Sequence, residues 1–303
     1  MRIDLQIGGY AIRLDEPRDH QVLRWSMKRF DLFATQSERS PDIELRINVV
    51  TKFPKIPHGS LIYDSCHGLW KLYAADSGYV LECFDTHTLK PRSHTIISGD
   101  VSQAEVWLRG QRRRRGERPG WIPVYVINPI VEICLVTRLA REGGLLLHAA
   151  GVLTEHGAWV FTGASGAGKS TLSDMFAARD ACVLSDERII IRKVAGELTV
   201  FGTPWSGLGM QATNAAGPLT ALYCIRHGEG AHALRRMSAR EFSLFVLPQS
   251  FLPHWDRDGM DRTLAFLVEL TERVHCADLA FVKNPDVVDY LAARSLDRRL
   301  VPS

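Results

Sequence analysis

Gly163-Ala164-Ser165-Gly166-Ala167-Gly168-Lys169-Ser170-Thr171 stands just after the apolar run Ala158-Trp159-Val160-Phe161, and the rest of the chain is read outward from it. Gly163, Gly168, Lys169 and Ser170 occupy the four defining places of the pattern G-x-x-x-x-G-K-[ST]. Glycines let successive backbone N–H groups turn inward on phosphate oxygens, and a helix N-terminus adds partial positive charge. Lys169 would reach the outer phosphates and Ser170 would hold Mg²⁺. The competing reading is a Gly-rich turn between a strand and a helix. A β-rich run before the stretch and a helix-like run after it, to about Ala178, favour the phosphate loop.

One strand upstream lies Leu145 to Leu153 (LLLHAAGVL), closed by the polar turn Thr154-Glu155-His156-Gly157. A run this apolar predicts a strand buried on both faces, and it carries His148. One strand downstream, Ala181-Cys182-Val183-Leu184 runs into Ser185-Asp186-Glu187, 17 residues after Lys169. Acids at a strand end beside a phosphate loop can position Mg²⁺ or take a proton from an attacking hydroxyl; the alternative is a surface turn. Next come an expected hairpin, Ile189 to Lys193 with Leu198 to Phe201, and the segment Gly202-Thr203-Pro204-Trp205-Ser206-Gly207. A hairpin here departs from strict β-α-β alternation and predicts a less common sheet. Beyond it the pattern predicts a strand at Ala221 to Ile225, a loop with solvated His227 and His232, a helix at Asp261 to Val274, a strand at Ala277 to Val282 and a last helix opened by Asn284-Pro285.

Upstream, residues 1–127 read as a β-rich domain. Arg2 to Ile7 and Ile43 to Val50 alternate, and Leu69 to Tyr73 pairs with Tyr79 to Cys83 across Asp76-Ser77-Gly78. His94 to Ser98 and Ala104 to Leu108 are further strands, and Pro17 to Phe33 is a predicted helix. Arg109 to Arg118 (RGQRRRRGER) is the one charge run. Without interleaved aromatics it reads as a solvated loop rather than an anion-binding patch. Asn128-Pro129 supplies an N-cap and first-turn proline for a linking helix within residues 128–144, ended by Gly143-Gly144. Residues 145–303 then form the loop-bearing domain.

A chain of 303 residues with net charge +3 gives no reason to expect nucleic acid or a membrane as main partner. No apolar run reaches the ~18 residues of a spanning helix, and Met1 to Tyr10 carries acid and glycine where a signal peptide would be apolar. Cytoplasmic location is the expectation. The six cysteines, Cys66, Cys83, Cys134, Cys182, Cys224 and Cys276, form no C-x-x-C pair and read as reduced thiols, mostly buried.

In order, LLLHAAGVL, a turn, GASGAGKST, a helix, LSDERIII and GTPWSG resemble the HPr kinase/phosphorylase family, above all the HPr kinase-related serine kinases of peptide-modifying gene clusters. The likeness spans about residues 145–285. It implies an α/β fold, a P-loop kinase domain of the HPr kinase and phosphoenolpyruvate carboxykinase type behind a β-rich α+β domain. It also implies ATP and Mg²⁺ as cofactors and, as acceptor, a serine of a small protein or peptide such as a lasso peptide precursor. Carried over by position, Gly163 to Thr171 bind the nucleotide phosphates and Lys169 neutralises charge. Ser170, Asp186 and Glu187 hold the metal, Asp186 is the general base, and His148 stands beside the transferred phosphate. Read without the resemblance, His148 is a strand histidine satisfied in a core. Glu187 replaces an aspartate of the family, and the acid that often follows PW-x-G is replaced by Leu208-Gly209-Met210. Arg235 and Arg236 are further candidates for stabilising a phosphoryl group. A metabolite kinase and a nucleotide-sensing module without transfer are the rival functions.

Overall fold

The computed structural model describes residues 1–23, 28–36, 39–65, 68–112, 119–207 and 209–295. These residues form a mixed α/β structure built on two large sheets with few helices. Cys66, Leu208 and the Arg113 to Arg118 part of the basic run lie outside the described residues.

The first sheet has nine strands: β1 (Arg2–Ile7), β2 (Tyr10–Asp15), β3 (Ala34–Thr35), β4 (Ile43–Val50), β5 (Leu61–Asp64), β6 (Trp70–Ala75), β7 (Gly78–Phe84), β8 (Pro91–Ser98) and β9 (Gln103–Arg109). Their order is β3-β1-β2-β4-β9-β8-β7-β6-β5. Alternation drives it: in β4, Ile43, Leu45, Ile47 and Val49 are buried while the residues between them face outward. The expected hairpin is β6 with β7, in register Leu72 to Leu81 and Tyr73 to Val80. The helix predicted over Pro17 to Phe33 is corrected over its first residues, and positions 24–27 of it lie outside the described residues. Asp19 has φ +54°, Val22 bridges Trp121, and among the described residues helix α1 spans Lys28–Asp31. Glu16, fully buried, accepts from the His20 backbone N–H at 2.6 Å and so spends on a turn the groups that a helix would have paired.

A helical segment joins the two sheets: α2 (Val124–Val126), a wide turn at Ile127–Val131, and α3 (Glu132–Glu142). Asn128 is extended at φ −116° and ψ 117°, and the Asn128–Pro129 bond is cis. The N-cap role expected of Asn128 is therefore corrected: its side chain accepts from Trp205 Nε1, and helical residues stand on both sides of it. Gly143 ends α3 at φ +73°, a left-handed conformation that glycine adopts without strain.

The second sheet contains β10 (Gly144–Thr154), β11 (Gly157–Thr162), β12 (Cys182–Ser185), β13 (Arg188–Val194), β14 (Glu197–Phe201), β15 (Ala216–His227), β16 (Ala233–Arg236), β17 (Ser250–Phe251) and β18 (His275–Phe281). The long strand β10 changes partners along its length. Gly144 to His148 pair with β13, and Ala149 to Thr154 pair with β11. β11 and β15 run parallel, as do β15 and β18. The β13–β14 hairpin turns at Ala195 and Gly196, both at positive φ, a two-residue turn that matches strand twist. Helices α4 (Lys169–Ala177), α5 (Ala239–Val246), α6 (Arg257–Arg273) and α7 (Val287–Ser295) cover the sheet.

The alternation of β10 separates its neighbours. Leu145, Leu147 and Ala149 pack with Phe242, Phe266 and Leu270 of α5 and α6. Leu146 belongs instead to the core shared with the first sheet and α3, and Ala150 and Val152 belong to the core under α4. His148 has Leu146 on one side of it and Ala150 on the other along this second face. It therefore stands where the first core ends and the core under α4 begins. Four of the five described cysteines are buried and all five are free. Among the described residues, no helix is long and apolar enough to cross a membrane.

Candidate functional site

Gly163 to Thr171 connects β11 to α4, so the loop leaves the C-terminal end of a central strand. Gly168 has φ +103°, and a Cβ on it would come within 2.5 Å of the Phe281 ring, so only glycine fits. Lys169 is buried, and its Nζ donates to the Gly163 and Ala164 carbonyls at 2.7 and 3.1 Å. Those bonds compensate an ammonium taken out of water and leave one of its three N–H donors over. Burial pushes its pKa down, and the Glu187 carboxylate works against that shift. Ala164, Ser165 and Gly166 form the exposed rim, and the half-buried Ser170 hydroxyl has no hydrogen-bond partner among the described residues. Thr171 is likewise half-buried in the first turn of α4, and Ala167 donates its N–H to the Ala164 carbonyl.

The strand register brings His148 to the root of this loop. Ala149 pairs with Thr162, and Thr162 Oγ1 donates to the His148 carbonyl at 3.0 Å. On its other side His148 pairs with Arg188 in β13. The ring Nδ1 lies 3.1 Å from the Glu187 carbonyl and 3.4 Å from Glu187 Oε1. A carbonyl only accepts, so Nδ1 carries the proton and Nε2 keeps a lone pair. Burial lowers the His148 pKa, the Lys169 charge lowers it further, and Glu187 opposes both. The ring is accordingly neutral at pH 7.

The two acids differ sharply in surroundings. Asp186 is 1% exposed, and its carboxylate accepts from the Gly207 N–H at 2.8 Å and the Gly209 N–H at 2.9 Å. The approach is close: a Cβ on Gly209 would stand 2.6 Å from Asp186 Oδ2. Asp186 thus ties the segment after Pro204-Trp205 to the end of β12. Glu187 is about a third exposed, beside His148 and within electrostatic reach of Lys169. Of the two, Glu187 has the freer carboxylate.

A second layer holds these groups. Arg188 Nη1 bonds Glu132 at 2.8 Å and its guanidinium lies over the Phe251 ring at 4.6 Å. Burial raises the Glu132 pKa, and Arg188 pulls it back. Trp205, nearly buried, bonds Asn128 and places its carbonyl 3.4 Å from Ser185 Oγ. Arg235 bonds Glu241 at 2.9 Å and lies 3.7 Å from Asp278, which Arg226 also grips, so Arg235 is engaged away from the loop. The structure adds one residue to the site: His227, exposed as expected, ends β15 and places Nε2 3.0 Å from the Gly166 carbonyl. Only the parallel pairing of β15 with β11 brings it there.

Among the described residues no group of three or more His, Cys, Asp or Glu is arranged to hold a metal by itself. The donors present suit Mg²⁺ held through phosphate oxygens, with a free hydroxyl at Ser170 and a carboxylate at Glu187. Compared with known proteins, the chain matches no family model and no curated sequence.

Proposed function

We propose that this protein is an ATP- and Mg²⁺-dependent serine kinase of the HPr kinase-like type, acting in the cytoplasm on a small protein or peptide. The observation that carries the reading is the pairing of neutral His148 with Glu187 at the root of a Gly163 to Thr171 loop whose lysine is held by loop carbonyls. Bound ATP would supply the γ-phosphoryl group, and Mg²⁺ would screen its charge.

The chain's own residues have separable tasks. Backbone N–H groups of Gly166, Gly168, Lys169 and Ser170 and the N-terminus of α4 cradle anionic oxygens, and Lys169 stabilises charge as it develops. Ser170 orients the metal. Glu187 accepts the proton of the serine hydroxyl, and His148, whose Nδ1–H donates to the Glu187 carbonyl, holds that residue in place. Asp186 keeps the Gly207 to Gly209 segment against the site. The resemblance assigns the base to Asp186; its engagement with two backbone amides favours Glu187 instead.

Incubation with ATP labelled at the γ-phosphate, Mg²⁺ and serine-containing peptides should place label on serine. Label recovered only as free phosphate would overturn the reading.

A further inference from the structure

The first sheet ends at β5, which pairs with β6 on one side and has no strand on the other among the described residues. Leu61 and Ile62 of this edge are 49% and 37% exposed. Beside it, Tyr63 stacks on Trp70 at 5.1 Å and on His254 at 5.8 Å, and Trp255 meets both Tyr63 and Trp70 edge-on at 5.7 Å. With Phe251 and Glu132, these rings line a cavity of about 210 Å³. Free organic ligands occupy pockets of roughly 300–1,000 Å³, so this one has the size of a single large side chain.

Its position ties it to the phosphoryl-transfer site. Phe251 pairs with Leu146 and Ser250 with Leu147, so the pocket wall meets β10 two residues before His148. That is about 7 Å along a strand. Arg188 joins the two directly, lying over Phe251, bonded to Glu132, and next in sequence to Glu187.

We infer that the acceptor is an extended peptide that adds a strand to the free edge of β5 and seats one aromatic or large aliphatic side chain among Tyr63, Trp70, Phe251, His254 and Trp255. Main-chain bonds along β5 supply register-fixed affinity, and the ring-lined pocket supplies selectivity. The phosphorylated serine then lies a set number of residues from the anchor, because the Phe251 wall of the anchor pocket pairs with β10, the strand that carries His148. The inference rests on the kinase reading for its chemistry and adds the docking mode.

The test uses the full chain and a library of short peptides with one central serine and randomised neighbours. One arm selects peptides captured by the immobilised protein without nucleotide; the other records which members are phosphorylated with labelled ATP and Mg²⁺. Captured peptides should carry Trp, Tyr, Phe or Leu at one fixed offset from serine, and capture should slow amide exchange over Leu61–Asp64. Tyr63→Ala and His254→Ala should each weaken capture about tenfold or more, as loss of an anchoring contact does. Both variants should keep the thermal stabilisation that ATP with Mg²⁺ confers on the parent, showing an intact loop. Phosphorylation with no anchor preference, or capture by both variants equal to the parent's, overturns the docking site and leaves the kinase reading to the labelled-ATP arm. Anchored capture with no phosphorylated member does the reverse, and failure of both arms removes both.

Discussion

Asp186→Asn separates a structural carboxylate from a catalytic one. In the parent, one buried carboxylate accepts two backbone N–H bonds at 2.8 and 2.9 Å. Hydrogen bonds to a charged acceptor contribute about 1.5–3 kcal/mol each. Asparagine keeps one oxygen and turns its NH₂ toward the other amide, so one bond is lost and two donors face each other out of water. The expected cost is about 2–4 kcal/mol, a sizeable share of the ~5–15 kcal/mol that holds a domain folded. Denaturant titration should show a lower midpoint with little change in slope, and exchange should quicken at the Gly207 and Gly209 amides. Phosphoryl transfer should fall together with stability. Glu187→Gln is the contrasting change: at a partly exposed acid it should alter stability by no more than about 0.5 kcal/mol and retain nucleotide binding. Transfer should drop roughly 10²–10⁴-fold, as on loss of a proton acceptor. An Asp186→Asn protein as stable as its parent, with both glycine amides still protected, would refute the anchoring role. A Glu187→Gln protein with normal transfer would refute the base assignment.

Three further outcomes follow from the same geometry. Lys169→Ala should abolish nucleotide binding or transfer, measured by calorimetry and label transfer, because the loop's buried cation is removed. Gly168→Ala should cost about 1–3 kcal/mol through overpacking against Phe281 and strain at φ +103°, and nucleotide binding should go with it; trimming Phe281 in the same chain should restore it only in part, since the backbone strain stays. Burial depresses the pKa values of His148 and His94, so at pH 7 both states of the protein hold these rings neutral. As pH falls below the unfolded value of about 6.5, the unfolded chain takes up protons first, and stability contributed above that pH is lost as pH passes down through the folded values. Stability of the parent should therefore fall as pH drops below about 6.5, and less steeply in His148→Asn; identical slopes would show that His148 is not desolvated.

Much of the architecture was legible because its signal is local. The alternation of Ile43 to Val50, the apolar run Leu145 to Leu153 and the Ala195-Gly196 turn each state their own conformation through burial or φ. Helix α5 was legible and missed: Ser238 and Glu241 form a capping box, with reciprocal backbone bonds at 3.3 and 2.9 Å. The Pro17 helix failed for the opposite reason, since the competing partner was a buried Glu16 whose burial no local pattern reveals.

For the candidate site, residue types and spacing sufficed to single out Gly163 to Thr171, His148, Asp186 and Glu187, because a phosphate loop needs its glycines and lysine at fixed intervals along one stretch of chain. What those side chains do relative to one another was decided only by pairing between distant strands. The register of β10 against β11 and β13 sets His148 between the loop and Glu187. The segment from Pro204 onward folds back so that two glycine amides take both oxygens of Asp186, and the parallel partner of β11 delivers His227 to Gly166. Sequence spacing constrains groups a few bonds apart, whereas the choice between two adjacent carboxylates turns on burial and on hydrogen-bond donors more than 20 residues away.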